Sequence, residues 1–307
     1  MATPTVLSDD ELRVRTRETD VYARIRPNDK LRIVQALRAN GAITAMIGDG
    51  VNDAPALKAS DIGVVVGTAS DIAKETADLI LLDNNFGTIV AAIEEGRVIF
   101  DNIRKVVAYV LSDSFAEVLT IFIAIIVGWP APLLVAQILW IHLICDGPED
   151  IVLGFEPKEA GIMQRPPRAV DASILDRLGA TLIGTISGLS AVFGLGVFGY
   201  FHIVQNDVAR GRSIVFAAFA MSSVIYILAY RSLRTPIWRM HALRTNKPLV
   251  IALIGGGLLS VLPFLFEPLG ELLHVVPLTW TEWAMVLTFS FALLLIVESA
   301  KAVRQRR

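Results

Sequence analysis

A chain of 307 residues that is 54% hydrophobic, with a mean hydropathy of +0.57, is too apolar for an ordinary soluble domain and long enough for more than one unit. Its 28 basic and 30 acidic residues leave a net charge of -2, so charge gives no reason to expect nucleic acid as a partner. The single cysteine, Cys145, excludes an internal disulfide.

The polar start, MATPTVLSDDELRVRTRETD, lacks the apolar run of a secretory signal, and the expectation is that the chain begins in the cytosol. Residues 1–95 read as an α/β piece in which short apolar strands alternate with amphipathic helices. Pro27 is placed to open a helix and Gly41 to close it, with Leu31, Val34 and Leu37 between them at helical spacing. ITAMIG (43–48) reads as a buried strand; a Gly-rich turn, a helix over 54–59, a strand over 62–67, a helix over 71–77 and a strand over 79–82 follow. In a parallel sheet, ligands collect beyond the carboxyl ends of the strands, which is where GDGVND falls.

From Thr88 the pattern is helical for about forty residues, a rod of roughly 60 Å and about twice what a bilayer core requires. Glu94, Glu95, Arg97, Asp101, Arg104 and Lys105 mark its first part as a stalk in water, followed by a span over about 106–129. Five further apolar runs, about 132–153, 178–203, 213–230, 248–267 and 281–300, complete an expected bundle of six membrane helices over 96–307. Lys158, Arg165, Arg168 and Arg177 crowd one loop, Arg231, Arg234, Arg239, Arg244 and Lys247 another, and Lys301, Arg304, Arg306 and Arg307 the tail. The alternate loops are poorer in Lys and Arg, so the positive-inside rule puts both termini in the cytosol of a multi-pass membrane protein.

GDGVNDAPALK (Gly48–Lys58) is the strongest motif. Gly48 and Gly50 are expected to let the backbone turn sharply and bring Asp49 out at the strand end, with Asn52 and Asp53 steadying it and the waters of a metal. A carboxylate there suits Mg²⁺, which takes oxygen ligands and shares them with phosphate. Lys30, in the first turn of its helix, is expected to neutralise a phosphoryl group. An ordinary Gly/Asp/Asn turn with capping acids is the structural alternative.

Charged side chains inside a bilayer cost about 2.5–3.5 kcal/mol each on insertion scales and mark ion paths. The first span carries Asp113, Ser114 and Glu117, with Asp113 and Glu117 on one helix face; the second carries His142, Cys145 and Asp146, also on one face. Gly147 and Pro148 are expected to break that helix and free carbonyls for a cation. Against this, Asp113 can face the helix end, Cys145 can pack as a small residue, and His142 can bond within the bundle.

Taken together, GDGVNDAPALK, ARIRPNDK (23–30), DIGVVVG (61–67), ETADLILLDNNFGTIVAAIEEGR (75–97) and GIMQRPPR (161–168) resemble the P-type ATPases, especially the calcium and sodium-potassium pump branch, over nearly the whole chain. The resemblance implies a haloacid-dehalogenase-like fold for residues 1–95. It implies that Asp49 binds Mg²⁺, that Asn52 and Asp53 order that site, and that Lys30 contacts phosphate, all around an aspartyl phosphate formed from ATP. It also implies ion-site roles at Ser114, Glu117, His142, Cys145 and Asp146. Asparagine is replaced at Ser114 and His142 and a hydroxyl at Cys145, so calcium is one candidate beside a proton, Mg²⁺, Mn²⁺, Na⁺ or a softer metal. The motifs DKTGT and TGE do not occur in the sequence. The expectation is therefore the carboxy-terminal half of a cation pump whose amino-terminal half supplies the phosphorylated aspartate, the nucleotide-binding domain that holds most of ATP, and the actuator. The alternatives are a membrane remnant without transport and, last, a free phosphatase.

Overall fold

A computed structural model describes residues 7–83, 85–169, 172–240 and 242–304. Residues 1–6 of the polar terminus, Asn84 of the LLDNNF stretch, and Arg306 and Arg307 of the basic tail lie outside them. The chain divides into two compact units, one up to Glu94 and one from Glu95 onward.

The first unit opens with α1 (Asp9–Arg15), closed by a reciprocal cap in which Ser8 Oγ accepts from the Glu11 amide and Glu11 Oε2 accepts from the Ser8 amide. Helix α2 (Pro27–Ala39) starts on Pro27 and stops where Gly41 takes φ +84°, the left-handed conformation a glycine adopts without strain. Strands β1 (Ala45–Gly48), β2 (Ile62–Val66) and β3 (Leu79–Leu81) form a parallel sheet in that order, with Gly48 opposite Val65 and Val66 opposite Leu81. Helices α3 (Ala54–Ala59) and α4 (Asp71–Thr76) make the crossovers, and Leu57, Val65, Ala69 and Ala73 form the core beneath them. Asp61 pins the sheet: its carboxylate accepts from the Thr44 amide at 2.8 Å, from the Thr44 hydroxyl and from Arg38, and these bonds hold the carboxyl below its ordinary range.

The second unit is all helix. Helix α5 (Phe86–Ile126) carries the unit boundary within it and is followed by α6 (Val135–Leu139), a π-helical segment (Trp140–Cys145) and α7 (Asp146–Leu153). Then come α8 (Arg177–Gly199), α9 (Val208–Tyr230), α10 (Lys247–Leu265), α11 (Glu267–Leu273) and α12 (Trp280–Arg304). Helix α9 packs against α8, α10 and α12, and its Val215, Phe216, Ala217, Ala218 and Ala220 are wholly buried. Its small side chains let three neighbours approach it.

The expected spans are met in coarser form, and the expected helix break is corrected. Among the described residues five helices have the length and apolar composition of a membrane span; the run over 132–153 is helical without a gap from Val135 to Leu153 but carries three acids, Asp146, Glu149 and Asp150, among its apolar residues. The expected break at Gly147 and Pro148 does not occur: the helix runs on through both to Leu153, and its irregularity is the π-helical turn just upstream, Trp140–Cys145.

The charged part of α5 is not a solvated stalk throughout. Glu95 is exposed, but Asn102, Arg104 and Lys105 are 3%, 5% and 1% exposed. They grip the segment between α7 and α8: Asn102 donates to the carbonyls of Gly154 and Glu156, Arg104 donates to that of Ile174, and Lys105 pairs with Glu159. Arg165 joins Glu159 and Asp101. Burial pushes the Glu159 carboxyl up, yet the charges of Lys105 and Arg165 and the Arg165 hydrogen bond outweigh it and hold it below its ordinary range. Arg231, 1% exposed, bonds Glu156, whose other oxygen accepts from Asn246.

Candidate functional site

The first site belongs to the first unit. Asp49 stands exposed just beyond the carboxyl end of β1, its backbone carbonyl tied to the Ser70 amide and its amide weakly held by Asp53 Oδ2 at 3.4 Å. Asp53 is buried in a short 3₁₀ turn (Val51–Asp53), and its Oδ1 takes Lys30 Nζ at 2.5 Å. Lys30, Asp49 and Asp53 therefore come together; Asn52 is exposed on the same turn.

The two glycines do different things. A Cβ at Gly48 would lie 2.6 Å from Asp53 Cβ, so this glycine exists for close approach. Gly50 has φ -126° and open space around it, a conformation any residue adopts, which corrects the expectation of a sharp turn there. Three oxygen-bearing side chains and an ammonium at one strand end suit a hard cation with a phosphate beside it.

The second site belongs to the second unit. His142, in the π segment, places Nε2 2.9 Å from Glu117 Oε2 and Nδ1 3.6 Å from Asp113 Oδ2. One ligand atom each of Asp113, His142 and Asp146 lie within 4.8 Å of one another. Asp113 Oδ1 accepts from the Tyr226 hydroxyl at 3.1 Å, and Asp146 Oδ1 from the Ser223 hydroxyl at 2.7 Å. Glu149 accepts from Tyr109, and a Cβ at Gly256 would fall 2.3 Å from its other oxygen, so α10 needs a glycine there.

Asp113, Glu117, Asp146 and Glu149 are 4% exposed or less, and each keeps one buried oxygen with no hydrogen-bond partner among the described residues, as does Asp150. Unpaired carboxylate oxygens are costly unless something positive meets them. Of the expected site residues, Glu117, His142 and Asp146 gather. Cys145 turns instead to the Ser260 hydroxyl, 3.7 Å away, and no hydrogen bond joins Ser114 to the group among the described residues. Tyr109, Ser223, Tyr226 and Gly256 were not legible as site residues, since hydroxyls and glycines are common in apolar helices. Only the presence of Ser223 and Tyr226 on one face of a run without carboxylates hinted at a role.

Residues 130–303 match the family model described as "Cation transporting ATPase, C-terminus", and residues 30–93 match that of haloacid dehalogenase-like hydrolases. The chain is 36% identical to calcium-transporting ATPase 1 of Bacillus cereus over 97% of its own length and 35% of the relative. It is 33% identical to the endoplasmic reticulum calcium ATPase srcA of Aspergillus fumigatus, covering 98% of itself and 34% of that protein. Against the probable cation-transporting ATPase F of Mycobacterium bovis the figures are 34% identity, 95% and 32%. The chain thus spans about a third of the length of the curated relatives it matches. A dehalogenase-like sheet with its acidic strand end, apolar helices that contain clustered acids, and these matches together show that the chain belongs to the P-type cation-transporting ATPase family.

Proposed function

We propose that this chain is the carboxy-terminal portion of an ATP-driven cation pump of the cell membrane, and that it supplies part of the phosphoryl-transfer site and part of the cation path. The single observation behind this reading is the set of acids on α5 and α7 whose buried oxygens lack partners inside an apolar bundle. Those oxygens await a transported cation.

Residues 1–95 are the carboxy-terminal part of the phosphorylation domain in this reading, and 96–307 the stalk and spans. Asp49 is the Mg²⁺ ligand, with Asn52 and Asp53 ordering it, Gly48 giving Asp53 room to approach the strand end and Lys30 meeting the phosphate. Mg²⁺ there would neutralise charge that develops on the transferred phosphoryl group. The residues fit it, since the donors are oxygens at a strand end. ATP would be bound mainly by another part of the pump, the amino-terminal half that carries the phosphorylated aspartate and the actuator. Exposed Ile62, Leu79 and Ile80 support the existence of further structure over this sheet.

The segment 135–153 is the sixth crossing, at 19 residues long enough to span, with its π turn at the ion path. Both termini then face the cytosol, which the arginines between α7 and α8 and between α9 and α10 support. Co-expression with an amino-terminal half, followed by ATP-dependent cation uptake into vesicles, tests the proposal. Uptake that Asp49→Ala and Asp146→Asn each abolish supports it; absence of uptake with both halves correctly inserted leaves the non-transporting remnant as the better reading.

A further inference from the structure

One feature of the intramembrane cluster sets it apart from an all-oxygen cage: a histidine with a carboxylate at each ring nitrogen. Resting on the cation-path reading above, we propose that His142 ligates the transported ion through Nδ1, making a mixed nitrogen and oxygen site for a first-row divalent transition metal in preference to Ca²⁺.

The hydrogen bonding sets the roles. A carboxylate only accepts, so with an ion bound the 2.9 Å contact to Glu117 Oε2 would keep a ring proton on Nε2 and free the lone pair of Nδ1 for the ion. That lone pair faces Asp113 Oδ2, 3.6 Å away, which has no hydrogen-bond partner. In the absence of an ion a proton on Nδ1 can meet that oxygen, and a divalent cation that takes the proton's place is ligated from both sides. Metal-bound histidines characteristically donate their other N–H to a carboxylate, and Glu117 stands where that orienting group belongs.

The aspartates are arranged alike. Tyr226 holds Asp113 Oδ1 and Ser223 holds Asp146 Oδ1, and in each residue Oδ2 is the oxygen left without a partner. One oxygen is fixed and the other presented. For bonds near 2.1 Å, ligand atoms of one tetrahedral ion sit about 3.4 Å apart, close to the separation of Nδ1 and Asp113 Oδ2. Ca²⁺ takes six to eight oxygens at longer distances and gains little from imidazole, whereas affinity at nitrogen rises from Mn²⁺ towards Zn²⁺. Cys145 does not take part, since its sulfur is turned to Ser260 on α10.

Mn²⁺ added to the full chain in lipid nanodiscs and read by pulsed electron paramagnetic resonance tests the assignment. A ¹⁴N coupling in the wild type, lost in His142→Asn while Mn²⁺ still binds at roughly tenfold lower affinity, is the expected result. Zn²⁺ should displace the Mn²⁺ at a concentration at least tenfold below that at which Ca²⁺ does, and His142→Asn should erase that gap. Mn²⁺ bound without ¹⁴N coupling, or Ca²⁺ bound as tightly as Zn²⁺ in the wild type, overturns the proposal. Asp146→Asn separates the two levels: dication binding lost in Asp146→Asn without a ¹⁴N signal in the wild type sinks only the role of His142. No dication binding to a chain with a native unfolding transition sinks the cation path and this inference together. His142→Gln, run in parallel, guards against a folding defect peculiar to asparagine.

Discussion

Acidic clusters in the two units differ in how their charge is met. In the first unit Asp49 lies at the surface, and the buried Asp53 is already neutralised by Lys30 at 2.5 Å. Inside the helical unit, four acids at most 4% exposed share one histidine, with no lysine or arginine ion-paired to them among the described residues. A third arrangement within the same unit sharpens the contrast, because Glu156 and Glu298, equally buried, and the partly buried Glu159 are paired with Arg231, Lys301 and Lys105. Buried charge that serves the fold is neutralised within the fold. Buried charge left over points to something outside it.

That comparison can be broken most severely at the paired acids. Arg231→Met leaves Glu156 buried without its cation, and loss of about 3–5 kcal/mol is expected, read as a fall in detergent-solubilised unfolding temperature. Asp146→Asn should do the opposite for stability in cation-free buffer, raising the unfolding temperature by removing an uncompensated charge, while it weakens divalent-cation binding by about 100-fold. A destabilised Asp146→Asn chain would show that this acid is structural after all.

At the surface site, Gly48→Ala should cost about 1–3 kcal/mol by pushing Asp53 away from Lys30, whereas Gly50→Ala, with open space around it, should stay within about 0.5 kcal/mol. Equal effects at the two positions would contradict the assignment of close approach to Gly48 and of an unconstrained position to Gly50. The smallest effect expected is one of pH. The folded-state pKa of Glu159 lies below its ordinary value, so its stabilisation is fully present above that value and is lost as pH falls through the folded pKa. Acid unfolding of Glu159→Gln should accordingly lack part of the wild type's slope below about pH 4.5.

The first unit was legible because its signals are local. Pro27, Gly41 and the alternation of short apolar runs with helices put each element from α2 to β3 within a few residues of where it stands, and GDGVND announced the strand end, while α1 went unread in the polar start. What Gly48 and Gly50 do could not be read, since the same residue type serves conformation in one place and contact in another. In the helical unit the acids of α5 and α7 were legible as costly, but their partners were not. Tyr226 is 113 residues from Asp113, and Ser223 is 77 from Asp146, so only tertiary packing brings them together. The π turn within the run over 132–153 was not legible, because hydropathy sums composition and does not register how the backbone hydrogen bonds are spaced.

Equilibrium dialysis of divalent cations against the chain in nanodiscs, comparing the wild type with an Asp113→Asn/Asp146→Asn double variant, tests the intramembrane site most directly. Saturable binding in the wild type that the double variant loses, with both proteins folded, is the predicted result; binding that survives the loss of both carboxylates would contradict it.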